Sequence, residues 1–202
     1  MSSKKNISLL LLDVGGVIYQ VDWSKTVKFF NLKITSDEIQ KSISKWNIFL
    51  EFEKGNISPI HFYQNITKKF SITVDYPTFI IGWNKCLIGP TKGIFELLNN
   101  INIKIAALSN TNIIHYNNFS KNAVFKNFSH IITSFNLNCR KPDKEIYIKA
   151  LHILDIIPEQ ILFIDDLPEN LQIPASLGMF TETCLDSTNS IQNILLKHNI
   201  ID

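Results

Sequence analysis

Residues 7–18 read Ile7-Ser8-Leu9-Leu10-Leu11-Leu12-Asp13-Val14-Gly15-Gly16-Val17-Ile18: an apolar run that stops on one carboxylate and turns through a pair of glycines. The run suits a parallel strand covered on both faces. It is far too short to span a bilayer and lacks a cleavage-like end, so it reads neither as a membrane anchor nor as an export signal.

The same pattern returns along the chain. Ile103–Leu108, His130–Thr133 and Ile161–Ile164 are further strand candidates, and all but the third end directly in polar or acidic residues. Segments with helical spacing separate them: Thr91–Asn100, Asn112–Phe119, Asp143–Leu154, Pro168–Leu177 and Ser190–His198. Asp143 follows Pro142 as a helix start, and Gly178 follows Leu177 as a stop. This alternation predicts an α/β fold, a Rossmann-like parallel sheet with helices on both faces.

From about Tyr19 to Ile88 the alternation breaks. Ser24–Asn31, Ser36–Phe52, Ser58–Phe70 and Tyr76–Lys85 follow one another as helix candidates with no convincing strand between them. Three of the four open on a serine suited to cap a helix, and Gly55-Asn56 breaks the middle. The pattern predicts an all-helical cap, residues 19–88, inserted after the first strand, with residues 1–18 and 89–202 forming the α/β core.

With 202 residues, 45% hydrophobic and 19% charged, the chain can bury one substantial core and carry such an insertion. The formal charge is +2 and the basic residues (Lys4, Lys5, Lys25, Lys28, Lys68, Lys69, Lys141, Lys144) are scattered. That argues against nucleic acid or membrane lipid as a partner. Cys86, Cys139 and Cys184 are odd in number, far apart and without CxxC spacing, which reads as reduced thiols of a cytoplasmic protein. Triplets such as Asn56-Ile57-Ser58 read as chance in an asparagine-rich chain. His61, His115, His130, His152 and His198 form no i, i+4 pair and read as packing or surface residues. Trp23, Trp46, Phe49, Phe52, Phe62 and Trp83 fall in the cap and suit its core, with Trp23 or Trp46 the candidates to line a cleft.

Open parallel sheets bind ligands beyond the carboxyl ends of their strands. Those ends carry Asp13, then Ser109-Asn110-Thr111, then Asp165-Asp166, with Arg140-Lys141-Pro142 placed just before a helix. Each alone has an ordinary use as a turn, cap or loop. Together, in this order and one strand-helix unit apart, they resemble the four-part signature of the haloacid dehalogenase superfamily.

The likeness extends to the branch of small bacterial sugar-phosphate phosphatases and the N-terminal phosphatase domain of soluble epoxide hydrolase. It takes in Phe52-Glu53-Lys54-Gly55-Asn56-Ile57-Ser58, Leu108-Ser109-Asn110-Thr111-Asn112, Arg140-Lys141-Pro142-Asp143-Lys144-Glu145-Ile146-Tyr147 and Phe163-Ile164-Asp165-Asp166-Leu167-Pro168-Glu169-Asn170. It thus covers about Asp13 to Gly178. The resemblance implies a magnesium-dependent phosphatase acting on a small phosphorylated metabolite such as a sugar phosphate. In that family Asp13 is the nucleophile that becomes an aspartyl phosphate. Mg2+ is held by Asp13, the backbone carbonyl of Gly15 and the pair Asp165 and Asp166, with Asp166 the preferred direct ligand of the two. Lys141 offsets the crowded negative charge and contacts the phosphoryl oxygens, and Ser109 and the Asn110 backbone donate to them. The Gly15-Gly16 pair lets the backbone approach phosphate and metal. Asn170 either bonds an acidic side chain or caps a helix, and Arg140 suits a surface salt bridge more than a reach to substrate.

One position departs from the pattern. Most phosphatases of the superfamily carry a second Asp two residues after the nucleophile, which protonates the leaving group; here it is Gly15. Losing a general acid–base costs roughly 10²–10⁴-fold in rate. Some sugar-phosphate phosphatases of the branch also carry Gly there. The departure leaves two alternatives: a metal-free 2-haloacid dehalogenase, against which Asp165-Asp166 tells by crowding an attacking carboxylate with negative charge, and a catalytically weak or inactive binding or regulatory protein. The sequence leaves substrate identity and oligomeric state open.

Overall fold

The computed structural model describes residues 6–184 and 188–202, so Lys4 and Lys5 lie outside the described residues. Its strands are β1 (Leu9–Leu12), β2 (Tyr19–Val21), β3 (Leu87–Pro90), β4 (Lys104–Ser109), β5 (His130–Thr133), β6 (Ile161–Asp165) and β7 (Phe180–Thr183). Helices α1 (Trp23–Phe29), α2 (Ser36–Ser44), α3 (Asn47–Glu53), α4 (Pro59–Phe70) and α5 (Tyr76–Trp83) fall between β2 and β3. After β3 come α6 (Ile94–Asn99), α7 (Ile113–Phe119), α8 (Ser134–Leu137), α9 (Lys144–Leu154), α10 (Gln172–Ser176) and α11 (Thr188–Lys197).

Five strands form one parallel sheet in the order β5-β4-β1-β6-β7. β1 is central, and its four leucines are buried on both sides because alternate side chains leave opposite faces. Leu10 and Leu12 enter a cluster with Ile94 and Leu98 of α6, Phe119 of α7 and Ile191 and Leu195 of α11. Leu9 and Leu11 enter the opposite cluster with Ile146, Tyr147 and Ala150 of α9. Helices therefore cover both faces, as the near-continuous apolar runs require. Leu12 stands opposite Ala107 of β4 and Ile164 of β6, so Asp13, the Ser109-Asn110 step and Asp165-Asp166 all emerge at one edge.

The inserted helices build a third cluster of their own, from Ile39 and Ile43 (α2), Phe49 and Phe52 (α3), Phe62 and Ile66 (α4) and Phe79 and Trp83 (α5). Phe52 and Phe62 stack with ring centroids 4.1 Å apart. Ile114 of α7 joins this cluster, seating the helices against the sheet domain. Among the described residues no helix is long and apolar enough to cross a membrane.

Several features differ from the sequence reading: Pro168–Leu177, read as one helix, is a 3-10 turn over Pro168–Asn170 followed by α10, and α8 was not read at all. The stretch Ser36–Phe52 is two helices, α2 and α3, separated at Lys45-Trp46. Ser24 and Ser36 are not the caps: Asp22, two positions before Ser24, accepts from the Ser24 backbone N–H of α1, and Thr35, one position before Ser36, forms a reciprocal capping box with Glu38 on α2. Ser58 does cap α4, accepting from the His61 N–H. The strands β2, β3 and β7 were not anticipated. β2 and β3 pair antiparallel as a ribbon carrying the chain out to the helices and back, and an irregularity between Gln20 and Val21 erases the alternation that would have announced it.

Candidate active site

The nucleophile candidate is placed by its own ladder. The Asp13 N–H donates to Ile164 O at 2.9 Å, extending β1 by one step, and Asp13 Oδ1 then accepts from the Val14 N–H at 2.7 Å. Val14 also accepts from the Ile18 and Tyr19 N–H groups, which folds the glycine pair into a tight turn. Gly16 has φ +77°, a region that L side chains rarely adopt, and a Cβ there would run into the Asp166 carboxylate. The glycine thus admits Asp166 to the site.

Lys141 joins the first and last motifs. Its ammonium group, 1% exposed, lies 2.8 Å from Asp13 Oδ1 and 2.6 Å from Asp165 Oδ2. The lysine is fixed at its backbone by Asn110: the Lys141 N–H donates to Asn110 Oδ1 and Asn110 Nδ2 donates to Lys141 O, both at 2.8 Å. Asp165 is fully committed, because its Oδ1 accepts from the Leu167 N–H and from Asn170 Nδ2, each at 2.9 Å. Asn170 therefore bonds an acidic side chain rather than capping a helix. Asp166 lines the open cleft instead.

The electrostatics follow from burial. Desolvation pushes the Asp13 carboxyl up to about 7, opposed by the Lys141 charge and reinforced by Asp165 and Asp166. Burial and then the Asp165 charge raise Asp166 too. Burial works against the Lys141 cation, but Asp13 and Asp165 outweigh it and hold the group well protonated. Three carboxylates around one ammonium leave an excess of negative charge that a cation would balance. Oxygens of Asp13, Asp165 and Asp166 lie within 4.8 Å of one another. An all-oxygen donor set with no sulfur or imidazole suits a hard cation such as Mg2+.

These groups open into a cleft of about 980 Å³ between the sheet edge and the inserted helices. Asp13, Gly15, Gly16, Asn110, Lys141 and Asp166 all line it. Ser109, 3% exposed, and Asp165, 0% exposed, sit behind that surface. Trp23 lines the cleft as expected, whereas Trp46 does not and lies under the Lys69 ammonium instead.

One participant, Glu53, escaped the sequence reading as the partner of Arg140. Arg140 does form a salt bridge, but with the buried Glu53 rather than at the surface: Nη2 lies 3.0 Å from Oε2, and both residues line the cavity. Glu53 is 7% exposed, and burial raises its carboxyl against the pull of Arg140. Its backbone carbonyl accepts from Ser134 Oγ at 2.6 Å, which ties the end of α3 to the start of α8. The only signal for this contact was that both residues stand in the quoted motif strings.

A doubly wound sheet with a carboxylate and lysine centre at its carboxyl edge, roofed by an inserted helical layer, defines a class of hydrolytic enzymes. This chain belongs to the haloacid dehalogenase-like hydrolase family, whose sequence profile matches residues 7–178. A HAD family enzyme of Bacteroides thetaiotaomicron, crystallised with magnesium and inorganic phosphate, is 30% identical over 89% of this chain and 95% of its own, with a TM-score of 0.76. A HAD-like family hydrolase of Porphyromonas gingivalis shares the fold at 21% identity and a TM-score of 0.81, over 95% and 98% of the two chains. L-2-haloacid dehalogenase from Xanthobacter autotrophicus, with chloropropionic acid covalently bound, shares it at 13% identity and 0.63, over 97% and 85%.

Proposed function

We propose that the protein is a magnesium-dependent phosphatase that hydrolyses a small phosphorylated metabolite, such as a sugar phosphate, through an aspartyl phosphate on Asp13. The observation that carries this reading is the third carboxylate. Asp166 lies at the mouth beside a nucleophile already paired with Lys141, and a metal-free site for an anionic haloacid has no use for it. The magnesium and phosphate held by the Bacteroides thetaiotaomicron enzyme support the same choice.

Asp13, Asp166 and the Gly15 carbonyl would hold the ion, with Asp165 beside them. When bound, it supplies charge neutralisation between the carboxylates and the phosphoryl oxygens. A carboxylate oxygen of Asp13 attacks phosphorus, the phosphorus–oxygen ester bond breaks, and the leaving group departs with the bonding pair. Water then attacks phosphorus, releasing phosphate and restoring Asp13. Lys141 keeps its proton throughout and stabilises charge on the transferring group, while Ser109 and the Asn110 backbone donate to its oxygens. The Asn110 side chain, which grips the Lys141 backbone, positions the lysine. Gly15 offers no proton, so the leaving group must depart unassisted or with a proton from water. We read residues 19–88 as the cap that shapes the leaving-group side, and residues 1–18 with 89–202 as the catalytic core.

The test is turnover of p-nitrophenyl phosphate with magnesium and with EDTA, since p-nitrophenolate leaves without protonation. Magnesium-dependent turnover well above an Asp13→Asn control supports the proposal; its absence refutes it.

A further inference from the structure

The face that α2 contributes to the cleft has a composition of its own. Ser36, Gln40 and Ser44 of α2 all line it, and at i, i+4 and i+8 they share one helical face, while Ile39 is buried in the cap cluster. Half-buried Trp23 lines the same space and offers an apolar ring. These are neutral hydrogen-bonding groups beside an apolar surface of Trp23, Ile43 and Phe49.

The charges in the cleft point the same way. Asp13, Asp22, Asp37, Glu53 and Asp166 line it against Lys25, Arg140 and Lys141. Every one of these cations faces a carboxylate: Lys141 pairs with Asp13 and Asp165, Arg140 with Glu53, and Lys25 sits 3.9 Å from Asp22. Asp37, exposed at the first turn of α2, has no cation within ion-pair distance among the described residues. A magnesium ion and one phosphoryl group would roughly offset each other at the Asp13 end, leaving nothing to receive a second anion at the α2 end.

Building on the phosphatase reading, we propose that this cleft selects phosphate monoesters whose leaving group carries no second negative charge. The Ser36, Gln40 and Ser44 face of α2, with Trp23, receives a neutral, hydroxyl-bearing leaving group, and Asp37 repels an anionic one.

The experiment compares kcat/KM for glycerol 3-phosphate and 3-phosphoglycerate, which share a skeleton and differ in a hydroxymethyl against a carboxylate, with p-nitrophenyl phosphate as common reference. The neutral ester is expected to win by about tenfold at low ionic strength, the advantage shrinking as salt screens the repulsion. Asp37→Lys is expected to narrow the ratio at least threefold, and Gln40→Ala with Ser44→Ala to lower kcat/KM for glycerol 3-phosphate more than for p-nitrophenyl phosphate. Binding of the same two esters to magnesium-loaded Asp13→Asn protein, read by calorimetry, gives the preference without turnover. Equal values for the two esters in rate or in binding, or a ratio that Asp37→Lys leaves unchanged, overturns the inference. A lack of p-nitrophenyl phosphate turnover counts against the phosphatase reading instead, and the calorimetric comparison still decides the selectivity.

Discussion

Replacing Gly16 by alanine separates the two adjacent glycines by their geometry. At φ +77° an L residue pays roughly 1–2 kcal/mol for the left-handed conformation. For a chain of this size that corresponds to a fall in Tm of about 2–8 °C. The added Cβ also lies 2.7 Å from the Asp166 Cγ, so the carboxylate must retreat by about 1 Å to reach ordinary contact. With Asp166 holding the ion as proposed, moving its carboxylate is expected to weaken magnesium by roughly 10–100-fold, the range seen when groups supporting metal ligands are lost. At Gly15 the same methyl group meets only Val21, at 3.6 Å, an ordinary van der Waals contact. Magnesium titrations of p-nitrophenyl phosphate turnover therefore distinguish the variants: the midpoint rises at least tenfold in Gly16→Ala and less than threefold in Gly15→Ala. Equal midpoints for the two variants would refute the reasoning that Gly16 exists to admit Asp166.

Gly15→Asp, whose side chain has room to enter the cleft, is expected to raise kcat for alkyl phosphates at least tenfold and for p-nitrophenyl phosphate less than threefold, because only the former need a proton; equal gains would remove the explanation. Asp13→Asn removes a carboxyl whose pKa rises from 3.8 to about 7 on folding, so the stability linked to it is present at acid pH and lost as pH climbs through 7. The metal-free variant is expected to gain on the wild type by at most ~4 kcal/mol at pH 8 and by almost nothing at pH 4, measured by urea unfolding in EDTA; a gain independent of pH contradicts this. Asn110→Ala strips both hydrogen bonds from the Lys141 backbone, and a fall of at least tenfold in kcat with a loss of ~1–3 kcal/mol in stability is expected; unchanged kcat would show that Lys141 is held by its ion pairs alone.

The sheet was legible because its strands are buried on both faces. Leu9–Leu12 and Ile161–Ile164 present apolar residues on either side, and their ends run into the acidic groups Asp13 and Asp165-Asp166. The ribbon of β2 and β3 was not legible, since each strand is very short and Tyr19-Gln20-Val21 passes through an irregularity. β7, Phe180–Thr183, is half-buried at the sheet edge and mixes Phe with Thr and Glu, so no run marks it. At the site, the order of Asp13, Lys141 and Asp165-Asp166 could be read directly, and these groups lie together, whereas Ser109 sits behind the cleft surface. What the sequence did not carry was reach. Arg140 and Glu53 stand 87 positions apart, and only the seating of the inserted helices on the sheet brings them together. Likewise the serines first read as caps gave way to Asp22 and Thr35, because the side chain one residue outside the first turn reaches the unpaired N–H groups.

The claim at the centre of this account is that Asp13 takes the phosphoryl group. Acid quench of the magnesium-loaded protein during turnover of p-nitrophenyl phosphate, followed by peptide mass spectrometry, reads it directly. A phosphoryl adduct on the peptide containing Asp13, sensitive to hydroxylamine and missing in Asp13→Asn, is the predicted result. Turnover that proceeds with the Asp13 peptide unmodified at every quench time, or that survives Asp13→Asn, would contradict it.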